Sequence, residues 1–285
     1  MSGLQERLFE RGFFLAAAAS GAATLLIFGF MLILGLPLLR SGLFIDLLTG
    51  AWAPAVGAYG IFPMVAGTLA ISLLSLVLAF PVSLGCAGFA AAIGPPWLSR
   101  PFRWMVQLMT GIPTVIYGFV GIFLLVPIVR GLHGGGSGLC ILSAALMLAV
   151  LISPTMILFF SDSLDRVPKP FLDAADALGA TPSQKLRLVM LPYAKEGILS
   201  GLLLAFGRAV GDTMVALMIA GNAVQVPQSV FDAARTLTAH IALVIAADTE
   251  SLEFKSIFVC GLVLYLFVGL MISGLRLLSM LNRRR

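Results

Sequence analysis

From Leu139 to Phe160 the chain reads LCILSAALMLAVLISPTMILFF, with no charged residue. The hydrocarbon core of a bilayer is about 30 Å thick and takes roughly 20 apolar residues of helix to cross. The stretch meets that length and is too long for a barrel strand. A lipid-spanning segment must satisfy its own backbone hydrogen bonds, so this one is helical. Working outward, residues 13–39, 64–93, 104–129, 197–222 and 256–278 have the same character, interrupted only by Arg208, Asp212 and Arg276. The expected fold is an all-α membrane protein with six transmembrane helices and negligible strand, forming one transmembrane domain over 1–285.

Composition points the same way. The 285 residues are 60% hydrophobic and 11% charged, with mean hydropathy +1.05, whereas soluble domains carry roughly a quarter charged residues. That balance argues against a soluble globule, a disordered chain, a nucleic-acid binder and a disulfide scaffold. Cys86, Cys140 and Cys260 each stand alone in apolar sequence, without the spacing of a metal or redox pair, and read as small hydrophobes. The first apolar run, Gly12 to Leu39, is long enough to span and is expected to stay as a helix rather than be cleaved as a signal peptide.

The net charge of +5 records topology more than an acidic partner. With a cytoplasmic N-terminus, the inner segments hold twelve basic residues: Arg7, Arg11, Arg100, Arg103, Arg166, Lys169, Lys185, Arg187, Lys195, Arg283, Arg284 and Arg285. The outer segments hold four: Arg40, Arg130, Arg235 and Lys255. The positive-inside rule therefore places both termini in the cytoplasm.

The longest inner connection, 161–196, carries five basic and five acidic residues and reads as a helical hairpin. Asp173-Ala174-Ala175-Asp176-Ala177-Leu178 favours helix, Gly179 supplies a left-handed exit, and Thr181-Pro182 gives a cap and first-turn proline for a second helix. Such a short exposed helix suits a groove on another protein, although a solvated loop with helical propensity has the same local signature. The outer segment 223–254 has an apolar helical pattern, Phe231, Ala234, Leu237 and Ile241, suited to lying along the membrane surface. Gly134 to Gly138 reads as a flexible outer turn.

Inside the fifth span, Arg208 and Asp212 are one helical turn apart and share a face, with Val215, Ile219 and Asn222 continuing the stripe. A charge at the membrane centre costs roughly 2.5–3.5 kcal/mol on insertion scales, so such residues rarely face lipid. Two roles fit: a translocation surface where a guanidinium meets a tetrahedral oxyanion, or a neutralised salt bridge or subunit contact. In the third span Thr110, Thr114 and Tyr117 recur on one helical face, and Pro113 frees the Met109 carbonyl. These hydroxyls suit an anion or water, but a proline kink with Gly111, Gly118 and Gly121 easing helix packing explains them too. Ser153-Pro154-Thr155 carries the same ambiguity, and Met214 and Met218 read as packing.

The run Asp173 to Pro192 resembles the coupling loop of ABC-importer permeases, written Glu-Ala-Ala, three residues, Gly, nine residues, an aliphatic residue, any residue, Leu-Pro. Ala174, Ala175, Gly179, Val189, Leu191 and Pro192 match, and Asp173 stands in place of the usual Glu. Gly207-Arg208-Ala209-Val210-Gly211-Asp212-Thr213-Met214, Gly111-Ile112-Pro113-Thr114-Val115-Ile116-Tyr117-Gly118 and Arg235-Thr236-Leu237-Thr238-Ala239 resemble segments of phosphate-importer permeases of the PstC-like branch. Asp212 again replaces a usual Glu, keeping the charge on a shorter arm.

The resemblance implies a type I importer permease in a bacterial inner membrane. Its partners would be a second, PstA-like permease, two cytoplasmic PstB-like ATPase subunits and an extracytoplasmic, PstS-like phosphate-binding protein. It implies that Asp173, Ala174, Ala175, Gly179, Leu191 and Pro192 couple to the ATPase, and that Arg208, Asp212, Thr114, Tyr117 and Asn222 line the substrate pathway. The nearest alternatives are a permease for sulfate, molybdate, phosphonate or phosphite. An ion-coupled secondary transporter would show broken helices in two repeated halves, a pattern the sequence does not display. No catalytic residue, metal site or cofactor is expected. The four lysines follow Pro168, Gln184, Ala194 and Phe254, never the glycine of a P-loop. His133 and His240 stand far apart on outer segments.

Overall fold

The computed structural model describes residues 3–40 and 44–282, so Arg283, Arg284 and Arg285 lie outside the described residues. Helix α1 (Gly3–Arg40) is followed by the short α2 (Phe44–Thr49), a hairpin of β1 (Trp52–Ala53) and β2 (Ala58–Tyr59), and α3 (Phe62–Gly88), which runs on through a π turn to Ile93. Next come α4 (Pro96–Thr110), α5 (Thr114–Val120), α6 (Val126–His133) and the long α7 (Ile141–Asp165). Helices α8 (Lys169–Ala177) and α9 (Pro182–Lys185) form a hairpin. The chain then continues through α10 (Leu191–Gly211), α11 (Met214–Ile219), α12 (Leu237–Val244) and α13 (Leu252–Asn282). Among the described residues, six helical stretches are long and apolar enough to cross a membrane: Phe9–Leu36, Phe62–Ile93, Thr114–Leu132, Ile141–Asp165, Pro182–Gly211 and Leu252–Gly274.

The core is α7 packed between α3 and α10. Its inward residues, among them Ala144, Leu148, Ile152, Met156 and Phe160, are buried. Lipid is as apolar as leucine, so close packing rather than water exclusion holds such helices together, and small residues permit it. A Cβ on Gly201 would stand 2.8 Å from the Phe159 Cβ, and one on Gly118 would stand 2.5 Å from the Met218 sulfur. These two glycines set the approach of α10 to α7 and of α5 to α11. Helix α1 buries none of its most apolar window and packs along α13, where Phe28 meets Tyr265 at 4.9 Å between ring centroids.

Three expectations need correction. The span expected at 104–129 is interrupted: α4 stops at Thr110, Pro113 is extended (ψ 138), and the crossing helix starts at Thr114. Proline cannot donate to the ladder and biases its predecessor away from helix, so Thr110 does not continue the face of Thr114 and Tyr117. The span expected at 197–222 is also two helices. Helix α10 ends at Gly211 and α11 begins at Met214, with Asp212 extended between them (ψ 129). Finally, the outer pattern does not form one surface helix. Only Leu237–Val244 is helical, Phe231 lies in an exposed turn, and Ala234 and Leu237 are buried in the core.

Candidate functional site

The break between α10 and α11 is built by its own residues. With its backbone extended, Asp212 turns its carboxylate onto the start of α11, where Oδ2 accepts from the Val215 N–H at 2.9 Å. This is how an acidic cap satisfies an orphan amide. The Asp212 carbonyl accepts from the Thr238 hydroxyl at 2.8 Å, tying the break to the start of α12. The expected stripe is therefore not present. Val215 and Ile219 are core residues. Asn222 lies beyond α11 in the left-handed region (φ 58), where its Nδ2 donates to the Leu217 carbonyl at 2.7 Å.

Arg208 and Asp212 form no ion pair. Instead the Arg208 Nη1 donates to the Thr155 Oγ1 at 2.6 Å, from α10 across to α7. The ambiguity at Ser153-Pro154-Thr155 is resolved by where each hydroxyl goes. Ser153 bonds back to the Ala149 carbonyl at 2.6 Å within its own helix, while Thr155 serves Arg208. A guanidinium has five N–H donors, so one bond to a neutral hydroxyl orients it and leaves the fork able to take an anion. The Tyr117 hydroxyl is already engaged, donating at 3.1 Å to the Met109 carbonyl, whose usual helical donor Pro113 cannot supply. Thr114 is half-buried at the first position of α5.

The second site is the α8–α9 hairpin, and it has the shape its residues predict. Gly179 takes φ +75, and its amide bonds the Asp176 carbonyl at 2.9 Å while the Ala180 amide bonds that of Ala175 at 3.0 Å. This pair of bonds is a Schellman exit. Thr181 and Gln184 then complete a reciprocal capping box. Lys185 clamps the turn through Asp176 at 2.7 Å. Pro192 removes one ladder donor at the start of α10, and the π turn Leu186–Met190 directly before it takes up the mismatch, so the helix runs on unbroken from Pro182. Leu178 projects from the tip at 89% exposure, with Phe171, Leu188 and Tyr193 also exposed. Asp173 and Ala174 are exposed and Ala175 half-buried, while Leu191 packs toward the core.

Sequence reasoning missed the Arg103–Asp165 pair at the base of this hairpin. Arg103 donates to both Asp165 oxygens, at 2.5 and 3.0 Å, and to the Ala90 carbonyl at 3.1 Å. It joins α4, the end of α7 and the π turn after α3. No local pattern announces it, because the partners are 62 residues apart.

The fold and these two sites define a multi-pass membrane protein in which a helix broken near one end is continuous with an exposed hairpin at the other. The chain belongs to the family of binding-protein-dependent transport system inner membrane components, whose model matches residues 83–284. It is 31% identical over 248 residues to the phosphate transport system permease protein PstC of Pasteurella multocida, covering 80% of this chain and 77% of the relative. A PstC 2 protein of Mycobacterium tuberculosis is 31% identical over 299 residues, covering 95% and 91%. A probable ABC transporter permease of Bacillus subtilis, YqgH, is 34% identical over 228 residues, covering 80% and 73%. Solved structures that share the fold include two ABC transporters. One is the MetNI methionine ABC transporter in an inward-facing conformation (TM-score 0.60, 19% identity, covering 76% of this chain and 94% of that one). The other is a bacterial ABC transporter involved in alginate import (TM-score 0.57, 13% identity, covering 95% and 98%). The chain is thus a PstC-like ABC-importer permease of type I architecture.

Proposed function

We propose that this chain is the permease subunit of an ATP-driven importer of inorganic phosphate, in a bacterial inner membrane with both termini cytoplasmic. As one transmembrane domain it forms half of the translocation pathway beside a second, PstA-like permease. ATP is hydrolysed on two PstB-like subunits, and a PstS-like protein delivers the anion from outside. The observation that carries this reading is the state of Arg208. It is a guanidinium inside a spanning helix, oriented by a hydroxyl, with its acidic neighbour occupied in capping α11. A planar fork can hold two oxygens of a tetrahedral anion at once, and the names of the PstC relatives favour phosphate among such anions.

In this reading the α8–α9 hairpin docks in a cleft on the ATPase through Leu178 and the face around Asp173, Ala174 and Ala175. Gly179 sets the angle of α8, and Leu191 and Pro192 seat the hairpin on α10. Thr114, Tyr117 and Asn222 line the path as neutral groups, with Tyr117 acting through the backbone shape it holds. The test is radiolabelled phosphate uptake in cells lacking their own importer, with this chain and its partners supplied. Uptake suppressed by excess phosphate but not by sulfate, molybdate, phosphite or a phosphonate supports the reading. Uptake of sulfate or molybdate instead refutes it.

A further inference from the structure

The segment that returns to the membrane after α11 carries another arginine. Arg235 is half-buried, and among the described side chains no carboxylate lies within 4.0 Å of it. Its one hydrogen bond runs from Nε to the Asn222 carbonyl at 3.0 Å, which leaves both Nη groups uncommitted. We propose that Arg235 forms a second oxyanion site, on the α11 side of the helix break, which an anion occupies in series with Arg208. The proposal deepens the phosphate reading and rests on it.

The surroundings of Arg235 are fixed more tightly than a surface residue needs. The Asn222 amide bonds the Ala234 carbonyl at 3.1 Å, and the Ala234 amide bonds the Ala220 carbonyl at 2.8 Å, so the arginine's strand and its acceptor are locked in register. On the other side its backbone presses on α3, where a Cβ on Gly67 would stand 2.5 Å from the Arg235 carbonyl oxygen. Asn222 holds a left-handed backbone that a non-glycine residue adopts at a cost, to present that carbonyl. The uncommitted groups here are thus the two Nη of Arg235, which are donors and call for an acceptor.

The chemistry of the missing partner follows from the arginine. Guanidinium stays protonated, and partial burial pulls its pKa down, away from the charged form, with no acid to offset it. An Arg serving only as a brace would be expected to sit against a carboxylate, since an unpaired buried charge destabilises a fold. An Arg tethered by Nε with its two Nη groups free is pre-organised for a bidentate anion. The Thr238 hydroxyl on the Asp212 carbonyl ties this segment to the break, which lies between Arg208 and Arg235 along the chain.

The experiment is equilibrium dialysis of radiolabelled inorganic phosphate against the purified complex of permeases and ATPases, without the binding protein, together with uptake by the same variants. Arg235→Gln should weaken phosphate binding at least tenfold in assembled complex and lower uptake comparably. Arg235→Lys should fall between, and Arg208→Gln should keep the binding that Arg235 supports. Unchanged phosphate binding by assembled Arg235→Gln complex overturns the site. So does a loss of subunit assembly in Arg235→Gln with wild-type binding in Arg235→Lys, because the arginine then pairs with an acid of another subunit. Absence of phosphate uptake by the wild type removes the substrate reading and this site together, whereas wild-type uptake with unaltered Arg235→Gln removes this site alone.

Discussion

Arg208 and Thr155 meet across the α10–α7 interface, the guanidinium Nη1 donating to the threonine Oγ1 at 2.6 Å. Thr155→Val keeps the shape and deletes the acceptor, which costs roughly 1.5–3 kcal/mol for a bond to a charged group, or about ten- to a hundredfold in rate if the arginine acts in the limiting step. Thr155→Ser keeps the oxygen and should stay within about threefold of wild type. Uptake measured at matched membrane levels checks this, and equal rates for the Val and Ser forms would count against a positioning role.

Because Asp212 caps α11 instead of pairing with Arg208, the two sites should behave independently. Asp212→Asn keeps a capping oxygen and should transport within several-fold of wild type. Arg208→Gln should abolish uptake, and Arg208→Lys should lose most of it for want of the planar fork. The double variant Arg208→Gln with Asp212→Asn should be as inactive as Arg208→Gln alone. Recovery of uptake in the double variant would restore the salt-bridge interpretation.

At Gly179 the difficulty for any side chain is the backbone, since a Cβ there meets nothing within 4 Å but φ is +75. Gly179→Val should cost about 1–3 kcal/mol in hairpin geometry and uncouple transport from substrate-stimulated ATPase activity without reducing insertion. Gly179→Asn, which tolerates the left-handed region, should retain most of the coupling. Reconstituted complexes assayed for both activities discriminate between the two.

His240 gives a pH dependence. It is wholly buried in the cluster around Trp52, 4.4 Å from that ring, with its Nε2 3.4 Å from the Ser256 hydroxyl and its Nδ1 without a partner. Burial, then the nearby positive charge of Arg235, pushes its pKa from 6.5 down to about 4. The folded state therefore holds the neutral ring, while the unfolded chain takes up a proton below pH 6.5. Stability from this group is fully present above that pH and is lost as pH falls toward about 4, by roughly 3 kcal/mol in all. Thermal unfolding of the detergent-solubilised complex between pH 7.5 and 4.5 should show the loss, and His240→Gln should flatten it.

Much of this was legible in the sequence. Six spans follow from apolar length alone, and the hairpin follows from Gly179, Thr181, Pro182 and Gln184 because turns and caps are local chemistry. The breaks were less legible because hydropathy is blind to backbone direction. Gly111-Ile112-Pro113 and Gly211-Asp212-Thr213 sit in runs apolar enough to read as single spans, although proline in the first and a capping acid in the second were available signals. The partners of Arg208 and Arg103 lie 53 and 62 residues away, and no periodicity within one helix predicts a contact made between two.

Pro182–Gly211 is one uninterrupted helix of 30 residues, about 45 Å long at 1.5 Å per residue. Under the proposed function it would serve as a rigid lever, with the exposed hairpin as its handle and the joint at Asp212 as its articulation. A stiff rod does not absorb a push on its handle as a slack linker would, so a few ångströms of travel at the hairpin reach the far end as tilt or translation. Arg208 sits within one turn of that articulation, where a small rotation changes the direction of a guanidinium more than its depth. Such a linkage re-aims a charge without carrying it across the membrane.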